Sequence, residues 1–328
     1  MNIIAIRTNL YRFVISTFLI TSFCQAGFAI DAQSMGRGGT FLFNSTLNNS
    51  LLNSPASLAN SGFSLEDNIN LSATDSLLSL IKQNPNPIAG SYDSEFSPFY
   101  GKELSADGSA GILFDYKGFT IAPFMYLTEG NVSLQNPVYP NANGEVLSSQ
   151  GFGSGYGGTY KRIKYGLSYL SFKTADQYSS ANILNYNHGV ITQKSSYYSY
   201  ILNSSLGYDL TKNATFLVNY QHNTVGYTYL DRVFMGGRYS FNRFNFYLEL
   251  QDLQSDTFLN SSHFGASYQV FNFLELDTGL NQGFLSYGIG INTSVIKIFY
   301  SKSGANQYNY YREQYNESSL SVVFGINL

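Results

Sequence analysis

The last nine residues, 320–328, carry the feature that most constrains the fold of this chain. Read with a period of two, one face of this segment holds Leu320, Val322, Phe324, Ile326 and Leu328. The other face is mostly small or polar, so the alternation predicts a β-strand with one apolar side. A long apolar edge invites aggregation in a soluble protein, whereas a closed barrel has no free edge. The pattern therefore favours a closed barrel over the alternative, a soluble edge strand.

The first 26 residues have the pattern of a cleaved signal peptide. Arg7 and Arg12 precede an apolar stretch, Phe13 to Phe23, that is too short to cross a bilayer as a helix. Small residues follow, so cleavage is expected after Ala26 or after Ala29. We therefore expect the chain to be exported.

Export would leave a mature chain without cysteine and with a more negative charge. The single cysteine lies in the expected signal peptide, and loss of its two arginines would change the formal net charge from −3 to −5. A chain without thiols suits an oxidising compartment. The acidic balance argues against nucleic acid as a partner, because no basic excess is present to neutralise phosphates.

Composition supports insertion into a membrane as strands. Only 12% of the residues are charged, whereas Tyr and Phe number 28 and 26. The lipid-facing half of each strand in a membrane barrel excludes charge, and aromatic residues form girdles at the two interfaces. The expected fold class is therefore all-β: a transmembrane antiparallel β-barrel of about fourteen strands in a bacterial outer membrane.

The clearest alternation covers Phe244 to Gln251. Its apolar residues alternate with Tyr247 and Glu249, which are therefore expected to face the lumen. The same alternation places Asp277 and Lys297 on the lumen side.

Other stretches predict the connections and one helix. Long Asn/Tyr/Ser-rich loops are expected over Gln135–Gly153, Ala175–Tyr198 and Ser303–Glu317, and short turns at 211–213, 242–243 and 281–283. Thr74–Gln83 predicts a short helix, which we expect within or beneath the barrel because it is too short to span the membrane.

The segment before the strands resembles a known family. Met35-Gly36-Arg37-Gly38-Gly39-Thr40 and the later Asn53-Ser54-Pro55-Ala56-Ser57-Leu58-Ala59 resemble the N-terminal hatch of the FadL-like outer-membrane transporters and their PorV-like and TraF-like relatives. The hairpin over Leu276–Ile291 is similar to one in those relatives, with Asp277 in place of the family's Arg.

This resemblance implies a division of the chain and a set of site residues. The signal peptide would cover residues 1–26, the hatch 27–62 and the barrel 63–328. Expected ligand-binding residues in the hatch and lumen are Gly36, Gly38, Gly39, Asn53, Pro55, Tyr247, Glu249, Asp277 and Lys297. The last strand resembles the C-terminal signal that the barrel-assembly machinery reads.

The resemblance leaves two main functions open. One is passage of hydrophobic, fatty-acid-like molecules across the outer membrane through a hatch-plugged barrel. The other is an assembly role in which long loops hold a secretion or surface partner, and a diffusion porin is a weaker third possibility. Outer-membrane lipid and lipopolysaccharide are expected to surround the barrel. No cofactor, metal or enzymatic activity is expected, because His188, His222 and His263 are far apart in the sequence and lack metal-ligand spacing.

Overall fold

The computed structural model describes residues 31–43, 46–60, 62–83, 97–102, 104–135, 141–182, 191–225, 228–251, 261–306 and 314–327. The expected signal peptide and Leu328 lie outside these ranges. Among the helices of the described residues, none is long and apolar enough to cross a bilayer.

Across the described residues, fourteen antiparallel strands form a closed barrel in which successive strands pair and β14 pairs with β1. The strands are β1 (Phe63–Thr74), β2 (Leu104–Tyr116), β3 (Phe119–Gln135), β4 (Asn141–Tyr160), β5 (Ile163–Asn182), β6 (Ile191–Asp209), β7 (Ala214–Val225), β8 (Thr228–Phe241), β9 (Phe244–Leu250), β10 (Ser262–Phe271), β11 (Leu274–Asn281), β12 (Phe284–Asn292), β13 (Ile296–Asn306) and β14 (Gln314–Asn327). The predicted fold class and strand number are confirmed.

The last strand closes the barrel, as its alternation predicts. β14 pairs with β1 from Ser64↔Asn327 to Thr74↔Glu317, so neither strand presents a free edge. Leu320, Phe324 and Ile326 point outward and are 40–49% exposed. Val323, the apolar residue on the opposite face, is buried in the lumen.

The outer surface of the barrel is apolar. Large hydrophobic side chains are exposed on the outward face around the wall, among them Ile69, Leu71, Ile112, Phe124, Leu167, Leu202, Phe216, Phe246, Leu248, Phe264, Leu276, Ile289 and Ile298. A continuous apolar surface of this kind is unfavourable in water and is matched by the hydrocarbon of a bilayer. The strands therefore cross a membrane.

The two ends of the barrel differ. The turn end holds the start of β1, the end of β14 and short connections such as Lys117-Gly118 and Asn242-Arg243. The loop end holds most of the longer connections. The turn at Gln282-Gly283 is short, as expected, but it lies at the loop end.

The wall is much higher on one side than on the other. β4, β5 and β6 contain 20, 20 and 19 residues, whereas β9, β11 and β12 contain 7, 8 and 9. A membrane strand needs about 9–11 residues. β4 to β6 therefore extend well beyond the bilayer, and the expected loops at 135–153 and 175–198 were wrong where these strands occupy them.

The predicted short helix exists, but its expected position was wrong. α3 (Asp75–Gln83) packs through Leu77 and Leu80 against a cluster with Leu104 and Leu134, and Ala73 contacts that cluster. Ala73 alternates with lumen-facing residues of β1 and shares the outward face of Ile69 and Leu71. The helix thus lies against the outer face of the wall at the loop end, because this face offers an apolar surface there.

Candidate functional site: the hatch and the lumen wall

Residues 31–43 and 46–60 lie inside the barrel and form the hatch. They contain α1 (Ala32–Gly36), α2 (Leu47–Asn53) and a 3-10 helix (Pro55–Asn60). Nearly all of these side chains are buried. Helices this short are not stable alone, so the hatch depends on the wall for its structure.

Polar groups cap the N-termini of both hatch helices. The Asp31 carboxylate accepts a hydrogen bond from Ser34 N at 2.9 Å, and burial raises the pKa of Asp31 despite this bond and the nearby Arg37. At α2, Glu66 from β1 accepts from Leu47 N at 3.0 Å. A carboxylate at a helix N-terminus satisfies free N–H groups and complements the helix dipole.

Arg37, directly after α1, links the hatch to β11 and β9 of the wall. Its guanidinium donates to Glu275 and to Asp277 Oδ1, the latter at 3.1 Å, and its Cζ lies 4.9 Å from the centre of the Tyr247 ring. Burial works against the charge of Arg37, but Tyr247, Asp277 and Glu275 together hold its pKa above the ordinary value. Gln33 adds a hydrogen bond to Glu275 at 3.0 Å.

Glu249 forms a second attachment, to the backbone of the hatch. Its carboxylate is fully buried and accepts from Phe41 N and Leu42 N, both at 2.9 Å. Nearby, Gln251 donates to Gly39 O at 2.7 Å and His263 Nδ1 donates to Gly38 O at 2.9 Å. Side chains of β9, of Gln251 directly after it and of β10 thus bind the hatch backbone in place of solvent.

Glycines allow the hatch backbone to approach the wall. Gly38 and Gly39 have φ of 76° and 80°, which few other residues adopt. A Cβ on Gly38 would lie 2.3 Å from Phe264 O, and one on Gly166 of β5 would lie 2.2 Å from the carbonyl carbon of Pro55. The hatch backbone therefore contacts the wall directly both at β10 and at β5.

An apolar cluster joins the hatch to the high wall. Leu47, Leu51, Leu52 and Leu58 of the hatch pack against lumen-facing residues of β2 to β6, namely Leu113, Ala122, Met125, Leu127, Leu170, Phe172 and Ile201. We call this set the leucine cluster. A second group joins Phe41, Leu42 and Ala56 to Leu217 and Phe234. The β2–β8 side of the lumen thus contributes two apolar clusters to the contact with the hatch.

The wall of β3 is interrupted beside the leucine cluster. Pairing with β4 stops at Ala122↔Gly153 and resumes at Met125↔Gly151, so that Pro123 and Phe124 stand opposite a single residue. The register with β2 shifts at the same place. Pro123 has no N–H to give to either neighbour. This β-bulge breaks the hydrogen-bonded wall on both sides of β3.

The expected site residues divide into two groups. Tyr247, Glu249 and Asp277 are buried on the lumen face against the hatch, and Lys297 is half-buried on the same face near Glu66. In the hatch, Gly36 packs on Gly288, Asn53 donates to Asn49 Oδ1 within α2, and Pro55 begins the 3-10 helix. The structure brings the lumen carboxylates and the Gly36–Gly39 segment together.

Sequence reasoning missed the polar side chains that hold the far end of α2. Ser168 donates to Leu51 O at 2.6 Å, and Asn203 and Gln221 donate to Leu52 O at 2.9 and 3.1 Å. It also missed Arg37. One available signal was the run of alternating glycines in β4, Gly151, Gly153, Gly155 and Gly157, which lies on the lumen face.

The histidines do not meet. His263 binds the hatch, whereas His222 lies on the outer face with Nδ1 2.6 Å from Asp231 Oδ1, and His188 lies outside the described residues. In the part of the chain that the structure describes, no three His, Cys, Asp or Glu side chains come together as a metal site.

Comparisons with known proteins agree on the fold. No family model matches the sequence, and no curated protein matches it. Among solved structures, the barrel is similar to the TodX deltaS2S3 mutant monoaromatic hydrocarbon channel, with a TM-score of 0.59, 12% identity and coverage of 93% of this chain and 100% of that chain. The CymD monoaromatic hydrocarbon channel has a TM-score of 0.59 and 11% identity, with coverage of 92% of this chain and 98% of that chain. The Ralstonia pickettii toluene transporter TbuX has a TM-score of 0.56 and 10% identity, with coverage of 91% of this chain and 98% of that chain. At these identities the likeness shows a shared fold.

Proposed function

We propose that this protein is a channel, rather than an enzyme, through which small hydrophobic molecules cross a bacterial outer membrane. The observation that carries the proposal is the β-bulge at Pro123 next to the leucine cluster. An apolar molecule that reaches this cluster is separated from the bilayer only by a wall whose hydrogen bonding is already interrupted.

The filled lumen supports this function over an aqueous pore. In the part of the chain that the structure describes, the hatch is buried and packs against the wall from β1 around to β14, where it obstructs a hydrated solute. A hydrophobic solute can instead replace leucine contacts with its own. The structural neighbours with this fold include a toluene transporter and channels for monoaromatic hydrocarbons.

The interrupted strand also argues against the docking alternative. A barrel that serves only as a platform for a partner gains nothing from a broken wall beside its hatch. Lipid and lipopolysaccharide around the apolar outer face, and assembly through the C-terminal strand, remain part of the proposal.

Uptake of radiolabelled toluene by cells that express the protein tests the proposal. Deletion of Pro123 would restore regular alternation while Ala122 and Met125 still face inward, and we expect it to lower uptake towards the empty-vector rate. Pro123→Val keeps the extra residue and serves as the matched control, so its uptake should stay near wild type.

Two results would contradict this function. Equal uptake by the wild type and by the Pro123 deletion, at equal folded amounts, would remove the role of the bulge. Entry of a hydrophilic β-lactam at the same rate as toluene would indicate a diffusion porin.

A further inference from the structure

Carboxamide side chains form a column on the lumen face of β6 and β7. On β7, Asn219, Gln221 and Asn223 follow Leu217 at every second position, and Asn203 of β6 is paired with Gln221. None of these four amides is more than 2% exposed. We call them the amide column.

Most of the amide atoms in the column that have no hydrogen-bond partner among the described residues are acceptors. The amide groups of Asn203 and Gln221 donate to the hatch carbonyl of Leu52, and Asn223 donates to Gln221 Oε1 at 3.1 Å. The orientation of these three amide groups is therefore set, because each nitrogen faces an acceptor oxygen. The Oδ1 atoms of Asn203 and Asn223, and both amide atoms of Asn219, are buried without a partner among the described residues.

Unpartnered amides are costly where the surroundings are apolar. Asn223 is paired with Ile201 of the leucine cluster, and Asn219 is paired with Phe234 of the second apolar group. Few polar groups within an apolar lining are typical of a ligand site, where they fix the orientation of a bound molecule.

The column continues into a more open part of the lumen. On β8, Leu230 is paired with Asn223 and is 41% exposed, while Arg232 is paired with Gln221 and is half-buried. Arg232 Nε is buried and has no hydrogen-bond partner among the described residues. A molecule lying along the column would thus meet one donor at Arg232 as well as the amide oxygens.

The balance of groups favours a ligand that donates a hydrogen bond. Three amide oxygens need a donor, and they would oppose a carboxylate, which only accepts. Glu145 on β4 and Asp176 on β5 line the lumen nearer the loop end, and they add negative charge where a ligand would enter from that end. A hydroxyl group fits, because it donates to an amide oxygen and accepts from Asn219 Nδ2 or Arg232.

We propose that the amide column is the polar subsite for a neutral hydrophobic compound that carries a hydroxyl group. The apolar part of the molecule lies on the leucine cluster, and its hydroxyl reaches Asn219 or Asn223. This inference rests on the proposed function and names the class of compound that the channel prefers.

Binding of three matched compounds tests the proposal. Toluene, benzyl alcohol and benzoate share a ring and one further carbon, and they differ only in their polar group. Each is radiolabelled and measured by equilibrium dialysis against the full-length protein in nanodiscs, with binding to empty nanodiscs subtracted. We expect benzyl alcohol to bind roughly tenfold more tightly than toluene, as one or two neutral hydrogen bonds would give, and more tightly than benzoate.

Substitutions in the amide column test whether these residues cause the preference for benzyl alcohol. Asn219→Leu should remove the tenfold preference for benzyl alcohol and leave toluene binding unchanged, and Asn223→Leu gives a second reading if the first variant does not fold. Asn68→Leu is the matched control, because both amide atoms of Asn68 are also buried without a partner, but on β1. It should leave all three affinities unchanged.

The outcomes separate this inference from the proposed function. Toluene binding without any preference for benzyl alcohol, or a preference for benzoate, would overturn the subsite and leave the channel in place. A preference that survives both Asn219→Leu and Asn223→Leu would also overturn it. Failure of all three compounds to bind would overturn the proposed function itself.

Discussion

Loss of the Glu249 carboxylate should release the first half of the hatch from the wall. Glu249 is fully buried and accepts two backbone hydrogen bonds, from Phe41 N and Leu42 N at 2.9 Å each. Each backbone N–H left buried without an acceptor costs about 1–3 kcal/mol. Glu249→Ala should therefore weaken docking of this segment by about 2–6 kcal/mol, since both N–H groups lose their acceptor.

Hydrogen exchange of the hatch amides measures this change directly. The amides of Phe41 and Leu42 exchange only when the segment leaves the wall, and about 1.4 kcal/mol corresponds to a tenfold change in an opening equilibrium. We expect the exchange of both amides to accelerate by at least about tenfold in Glu249→Ala. Glu249→Gln keeps one acceptor oxygen and should give an intermediate acceleration.

The control for this experiment is the same substitution at another lumen carboxylate. Glu145 lies on the lumen face of β4, well beyond the hatch contacts at Gly153 and Gly155. Glu145→Ala should leave the exchange of Phe41 and Leu42 unchanged. If Glu249→Ala also left them unchanged, the carboxylate would not hold the hatch, and the attachment described above would be refuted.

Three further substitutions test other contacts. Arg37→Ala should destabilise the barrel by about 3–5 kcal/mol, because it leaves buried Asp277 and half-buried Glu275 without their cation. The loss should appear as a lower temperature of heat-induced unfolding on gels, and an unchanged temperature would contradict the ion pairs. Gly166→Ala should cost about 1–3 kcal/mol because its Cβ would overlap Pro55 at 2.2 Å. Exchange of the 3-10 helix amides should rise, whereas Gly237→Ala, whose nearest atom is 4.0 Å away, should change nothing. Leu248→Lys should cost about 2–4 kcal/mol at the lipid face and lower the folded yield. A normal yield would reverse the assignment of inward and outward faces.

The sequence predicts the wall of this barrel well because two solvents impose the pattern. Phe244, Phe246 and Leu248 must suit lipid, while Tyr247 and Glu249 must suit the lumen, so period two is enforced along each membrane-crossing segment. The same argument places Asp277 and Lys297 correctly on the lumen side.

The height of the wall could not be predicted in the same way. Beyond the bilayer both faces of β4 to β6 are accessible to water, and alternation no longer distinguishes a strand from a loop. Segments such as Gln193 to Ser196 are therefore polar throughout, although they belong to β6. The position of α3 on the outer wall also depends on Leu104 and Leu134, which are remote in sequence.

The hatch depends even more on distant residues. Its helices are short and rich in Asn and Ser, which favour turns when considered alone. They form because Glu66, Ser168, Asn203 and Gln221 satisfy their ends, and those partners are distributed over β1, β5, β6 and β7. Local pattern identifies the segment and its glycines, and only the closed barrel supplies its structure.

The two sides of the hatch differ in what it costs to separate them from the wall. Separation from β9 to β12 leaves the charge of Arg37 and the buried carboxyl group of Glu249 without their partners, and an apolar molecule cannot replace them. Separation from β2 to β6 exposes leucine side chains, and an apolar molecule regains those contacts as it enters. It also breaks hydrogen bonds from Ser168 and Asn203, but these join neutral groups. A hydrophobic compound therefore opens the hatch most easily on the side where Pro123 interrupts the wall. In the channel that we propose, the ion pairs on the other side would keep the hatch in the barrel while the compound passes.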